Sequence, residues 1–106
     1  MQGEINEYNA EVWPPTSSPL LERMLNKNGQ EGWRLRGHES IGRHHTFYFQ
    51  KTDRAYEYQV VPSTLTELTL ILDLLSAQAR DGWRLALIIR EVPNGPDARF
   101  IFIRQI

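Results

Sequence analysis

The chain has 106 residues, with 12 basic and 13 acidic side chains, no cysteine and 41% hydrophobic residues. That length suits one compact domain with a modest core, and charge balanced over both halves argues against a large nucleic-acid footprint. The absence of cysteine excludes disulfides and thiolate metal sites; no apolar run reaches the length of a membrane span and the N-terminal stretch has no signal-peptide core, so a soluble cytoplasmic protein with no membrane partner is expected.

Residues 8–13 alternate in polarity and read as a short strand that Pro14 and Pro15 end. Thr16, Ser17 and Ser18 can cap a helix, and Pro19 suits its first position, where a missing N–H costs nothing. Leu20, Leu21, Met24 and Leu25 mark one helical face. Gly32 stops the helix, because glycine accepts the left-handed backbone of a C-terminal cap. Residues 33–40 and 44–51 read as two strands joined by a hairpin at Ile41-Gly42-Arg43.

The second half repeats this order. Residues 56–61 are a strand ended by Pro62, and Thr64-Leu65-Thr66-Glu67 has the form of a capping box. Leu65, Leu68, Ile71, Leu72, Leu75 and Ala79 follow at helical spacing, with Leu70 and Leu74 widening the stripe. Asp81-Gly82 closes the helix. Residues 83–92 and 99–106 read as strands, with a turn over 93–98. The tetrapeptide Gly-Trp-Arg-Leu begins at Gly32 and again at Gly82, after a helix each time. Such self-similarity predicts two tandem strand–helix–strand–strand units, 1–53 and 54–106, each too small to be stable alone and therefore sharing a core. The expected class is α+β, with an antiparallel-rich sheet and helices on one side. A right-handed crossover sets each unit's first two strands parallel and the third antiparallel between them.

Tyr-Glu-Tyr-Gln-Val-Val at 56–61, Asp-Gly-Trp-Arg-Leu at 81–85 and Phe-Ile-Phe-Ile-Arg at 100–104 resemble the domain of unknown function 4177 family. The first half matches it through Tyr8, Glu31-Gly32-Trp33 and residues 47–51, so the chain resembles two tandem copies. The resemblance implies this fold and brings no established activity.

Alternation assigns the faces. Trp33 and Trp83 are expected in the core, closing each helix against its sheet. In the second unit Tyr58, Val60, Trp83, Leu85, Leu87, Ile89, Phe100 and Phe102 fall on the helix side. Val61, Ala86, Ile88, Ile101 and Ile103 fall on the other, an apolar patch that predicts a homodimer. The corresponding face of the first unit carries Trp13, Arg34, Arg36, His38, His44 and Tyr48, a mixture suited to a small anion or single-stranded nucleic acid. On this alternation His38 and His44 share a face and Glu39 and His45 point away. Two ligands do not make a metal site, so no metal and no cofactor is expected. The leading expectation is a small non-catalytic interaction module that self-associates through its second repeat, with room for a further, unidentified protein partner. Ligand or nucleic-acid binding on the first repeat is the alternative, and a small enzyme is third.

Overall fold

The computed structural model describes residues 7–90 and 97–106. Strand β1 (Tyr8–Trp13), helix α1 (Ser18–Gln30), β2 (Trp33–Ile41) and β3 (His44–Lys51) form the first repeat. Strand β4 (Tyr56–Ser63), helix α2 (Leu68–Arg80), β5 (Arg84–Arg90) and β6 (Ala98–Gln105) form the second. Each repeat builds its own sheet, in the orders β1-β3-β2 and β4-β6-β5, with the last strand antiparallel to both neighbours. The α+β class and the repeated order agree with the sequence reading. The turn expected over 93–98 lies largely outside the described residues, as do the last two positions of the strand expected over 83–92.

The correspondence between the repeats extends to fine detail. Both helices have 13 residues, with N-caps at Ser17 and Glu67 and C-caps at Glu31 and Asp81. Gly32 and Gly82 follow with φ of 89° and 86°, the positive values that glycine supplies without a Cβ clash. Both second strands carry an irregularity at the same place, between Leu35 and Gly37 and between Leu85 and Leu87. Arg36 and Ala86 are the extra residues of two β-bulges, each of which switches the face of every residue after it.

The bulge in β5 and the register of β4 on β6 correct the faces read by alternation. In the second sheet Val61 pairs with Phe100, and Leu85 and Ile88 pair with Phe102 and Phe100. This is the α2 side, where Ile71, Leu74, Leu75 and Trp83 pack on Ala98, Phe100 and Phe102. The opposite face joins Tyr58 to Ile103, Val60 and Leu87 to Ile101, and Ile89 to Arg99. Tyr58, Val60, Leu87 and Ile89 therefore do not share a face with Phe100 and Phe102. Nor do Val61, Ala86, Ile88, Ile101 and Ile103 form one patch. Ile101 and Ile103 lie buried in a core with Leu21 and Leu25 of α1 and Leu35, Phe47 and Phe49 of the first sheet. The other half of the same chain covers them.

Two further expectations change. Pro62 lies within β4 rather than after it. Strand β4 is an edge, and alternate N–H groups point outward: those of Tyr58 and Val60 reach side chains of α1. Pro62 continues that outward series, where a missing N–H breaks no ladder bond. The capping box does not form. Helix α2 begins at Leu68, Glu67 is its N-cap without a side-chain bond, and the Leu65 N–H is taken by the Ser63 hydroxyl at 3.1 Å.

Helix α1 joins the repeats by lying along the open edge of β4. The Asn26 side chain accepts the Tyr58 N–H at 2.7 Å and donates to the Tyr58 carbonyl at 3.0 Å. The Glu22 carboxylate accepts the Val60 N–H at 2.8 Å. Gly29 makes the approach possible, since a Cβ there would overlap the Tyr56 carbonyl and come within 2.9 Å of the Tyr58 ring. In return, the Tyr58 hydroxyl accepts the Leu35 N–H at 2.7 Å and donates to the Trp33 carbonyl at 3.0 Å on β2. Burial pushes this hydroxyl up from the ordinary value of 10.0 to about 12, against the opposing pull of the Leu35 N–H.

Gly29→Ala is expected to lower stability by about 1–3 kcal/mol, because overpacking of the junction outweighs alanine's better helix propensity. Gly37→Ala is the control, since nothing lies within 4 Å of a Cβ there. Urea titrations of both variants check this, and equal stabilities would contradict the tight junction.

Tyr58→Phe is expected to cost about 1–3 kcal/mol at neutral pH, because the Leu35 N–H and Trp33 carbonyl lose their partner. A raised pKa means that the folded chain holds the proton more tightly than the unfolded chain. The corresponding stability is intact below pH 10.0 and is lost as pH rises towards about 12. Wild-type urea midpoints should therefore fall over that window, and those of Tyr58→Phe should fall less.

Candidate functional site

The residues expected to form one ligand face divide between two faces: the β2 bulge turns His38 to the inner side, and the register of β1 on β3 puts Trp13 there as well. The register pairs Trp13 with His45, Glu11 and His38 with Phe47, and Leu35 with Phe49. These residues lie on the inner side of the first sheet. The other side carries Tyr8, Ala10 and Val12 of β1, opposite Gln50, Tyr48 and Thr46. Arg34 pairs with Gln50, Glu39 with Thr46, and His44 with Ile41 on that outer side. Arg36 is the bulge residue and is exposed. Trp13 and His38 are thus separated from Arg34, His44 and Tyr48.

The inner group is engaged in packing. Glu11 accepts from the Trp13 indole at 3.0 Å through one oxygen and from the Asn28 side chain through the other. Asn28 is buried and also donates to the Met24 carbonyl at 3.0 Å. This bridge fastens α1 to β1. His38 Nε2 lies 2.8 Å from His45 Nδ1, and the His38 ring lies 5.1 Å from that of Phe47. The bulge thus reverses the expected pairing: His38 meets His45, and His44 lies across the sheet. Among the described residues no three His, Asp or Glu side chains converge as metal ligands. On the outer face the Tyr48 hydroxyl donates to Glu39 at 2.5 Å. That bond, together with the nearby carboxylate charge, raises the Tyr48 pKa above its usual value.

Trp33 and Trp83 border the core rather than fill it, and the same device covers both. Lys51 lies 5.2 Å from the Trp33 ring centre and donates to the Glu31 carbonyl. Arg104 lies 4.2 Å from that of Trp83 and donates to the Asp81 carbonyl at 2.9 Å. Each third strand thus sends a cation over its repeat's tryptophan to the C-cap carbonyl of its helix, where positive charge is favourable. At both positions a cation thus lies over the indole ring.

One grouping escaped the sequence reading. Arg34 and Arg84, the arginines of the two Gly-Trp-Arg-Leu motifs, line one cleft of about 320 Å³ between the repeats, with Tyr56, Ile103, Arg104 and Gln105. Arg104 is committed to Glu57 at 2.6 Å, whereas Arg34 and Arg84 are exposed. The repeat was the available signal, but how the two units meet was needed to bring the motif arginines together.

The surface of the second repeat differs in character. Leu68, Leu70 and Leu72 of α2 are exposed, as are Leu85 and Ile88 of β5 on the same side of the sheet. No helix of the described residues is long and apolar enough to cross a membrane. Comparison with known families, curated proteins and solved structures gives no match, so the resemblance described above rests on the residues that carry it.

Proposed function

We propose that this chain is a small, non-catalytic interaction module of the cytoplasm that self-associates through its second repeat. The observation that supports this reading is the aliphatic surface of α2 and β5. Leu68 is 68% exposed, Leu72 51% and Leu85 41%, and Leu70 and Ile88 are exposed as well. Apolar surface concentrated on one side of a small domain marks a contact site. This surface replaces the patch expected around Ile101 and Ile103.

Sedimentation velocity over a concentration series tests the reading. The wild type should form dimers or larger species, and Leu72→Glu with Leu85→Glu should shift the protein to monomer. Both positions are exposed, so stability should stay within about 0.5 kcal/mol. A wild type that stays monomeric throughout would overturn the reading.

The cleft between the repeats favours a second reading, the binding of a small anion by Arg34 and Arg84. Two exposed guanidinium groups on facing units can hold a carboxylate or phosphate bidentately. Inorganic phosphate or a nucleotide should then raise the melting temperature with increasing ligand, less so at high salt. Arg34→Ala with Arg84→Ala should remove the shift. No shift in the wild type would exclude this reading.

A further inference from the structure

Positions that correspond between the repeats differ in burial in a consistent way. Leu35 is 6% exposed and its counterpart Leu85 is 41% exposed. Tyr58 is 2% exposed and its counterpart Tyr8 64%; Ile101 is fully buried and Tyr48, at the matching place in the first sheet, is 37% exposed. Each buried member lies at the junction where the helix side of the first repeat meets β4 and the inner face of the second. Each exposed member lies on a surface that has not met its counterpart. The second repeat presents the helix side of such a junction, with α2, Trp83 and Leu85. The first repeat presents the strand side, with β1 and the outer face bearing Tyr8, Val12 and Tyr48.

We propose that the α2 side of one copy docks on the β1 edge and outer sheet face of a second copy, repeating between chains the junction that joins the two repeats within a chain. The inference rests on the self-association reading and adds the complementary surface and its direction. In the docked pair Tyr8 occupies the place of Tyr58, with its hydroxyl toward the Leu85 N–H and the Trp83 carbonyl. Ser76 stands where Asn26 bonds the β4 backbone, and Leu72 stands where Glu22 accepts the Val60 N–H. The flank of α2 that meets β1 is therefore more apolar than that of α1, which accounts for the exposed Leu68 and Leu72. Ala79 replaces Gly29, so α2 sits further from its strand by about a methyl group. Two different surfaces meet, so the contact is head-to-tail, and assembly continues until a ring closes or the chain of copies ends.

Two blocked variants test the direction. Leu72→Glu with Leu85→Glu blocks the helix side, and Tyr8→Glu with Val12→Glu blocks the strand side. All four positions are exposed, and a thermal melt of each variant establishes that it folds; lysine replaces glutamate at the same positions if it does not. Each variant alone should be monomeric in sedimentation velocity. Mixed in equal amounts, they should form a dimer, because each retains the surface that the other lacks. A mixture that stays monomeric overturns the proposal. So does a strand-blocked variant that still dimerises alone, an outcome that keeps self-association through the second repeat but makes it helix side to helix side. A wild type that is monomeric at every concentration overturns both readings. Cross-linking gives an independent check, because the chain has no cysteine of its own. With a thiol-reactive bifunctional reagent, Ser76→Cys should join to Tyr8→Cys and not to itself; Ser76→Cys joined to itself overturns the head-to-tail contact.

Discussion

The open edge of β4 makes one molecule of two repeats. An edge strand presents unpaired N–H and carbonyl groups, and burying them without partners costs free energy comparable to the hydrogen bonds lost. Here a helix supplies the partners. The Asn26 amide offers an acceptor and a donor in the arrangement of a neighbouring backbone, and Glu22 takes the next outward N–H along the strand. This is possible only with helix and strand in contact, which Gly29 allows. Once α1 is there, Leu21 and Leu25 join Ile101 and Ile103 in a common core, and Tyr58 ties back to β2. Sheet edge, helix face and core thus depend on one another, and the cleft holding Arg34 and Arg84 follows from the same approach of the two units.

Other parts of the repeated motif solve problems internal to each unit. Glycine turns the chain out of the helix, and tryptophan lies against the sheet. A cation from the third strand covers the ring and meets the helix carbonyls that lack intrahelical partners. The bulge that follows Leu35 and Leu85 is part of the same device. The motif therefore carries geometry, and its two copies need not carry chemistry. The motif arginine is the exception in kind: Arg34 and Arg84 lie at the unit boundary, and both are exposed where they line the cleft.

The architecture was legible because its signals are periodic and duplicated. The prolines after β1, the leucine spacing of both helices and the two Gly-Trp-Arg-Leu segments were enough for the element order and the sheet topology. The faces were not legible. Alternation assumes an unbroken ladder, and one extra residue at Arg36 or Ala86 reverses every assignment beyond it. Hence His38 was grouped with His44 when it meets His45, and Ile101 was grouped with Ile88 when they lie on opposite sides of the sheet. The same local reasoning makes Thr64 a helix cap and Pro62 a strand end. In the fold, Ser63 takes the Leu65 N–H, and the outward position of Pro62 tolerates its missing donor. The misassigned faces and the place of Pro62 depend on bulges, strand register and an edge, which no short window of sequence contains, whereas the Ser63–Leu65 bond is a local competitor of the capping box.

Duplication without mutual closure also has a physical consequence. If two equivalent units met about a two-fold axis, each helix would seal the other's edge strand. Here α1 lies along β4, whereas β1 keeps Tyr8, Asn9, Ala10 and Val12 exposed. The sequences of the helices have diverged accordingly. Glu22, Asn26 and Gly29 are specific to a strand already in place: their polar groups bond its backbone, and the glycine admits it. At the same positions α2 carries Leu72, Ser76 and Ala79. Neither the carboxylate of Glu22 nor the amide of Asn26 has an equivalent there, and the leucine offers apolar surface instead. A helix that seals a strand edge within its own chain needs groups that bond that backbone, and a helix with no strand along its flank does not. The two helices of this protein differ along that flank: Glu22, Asn26 and Gly29 in α1 against Leu72, Ser76 and Ala79 in α2.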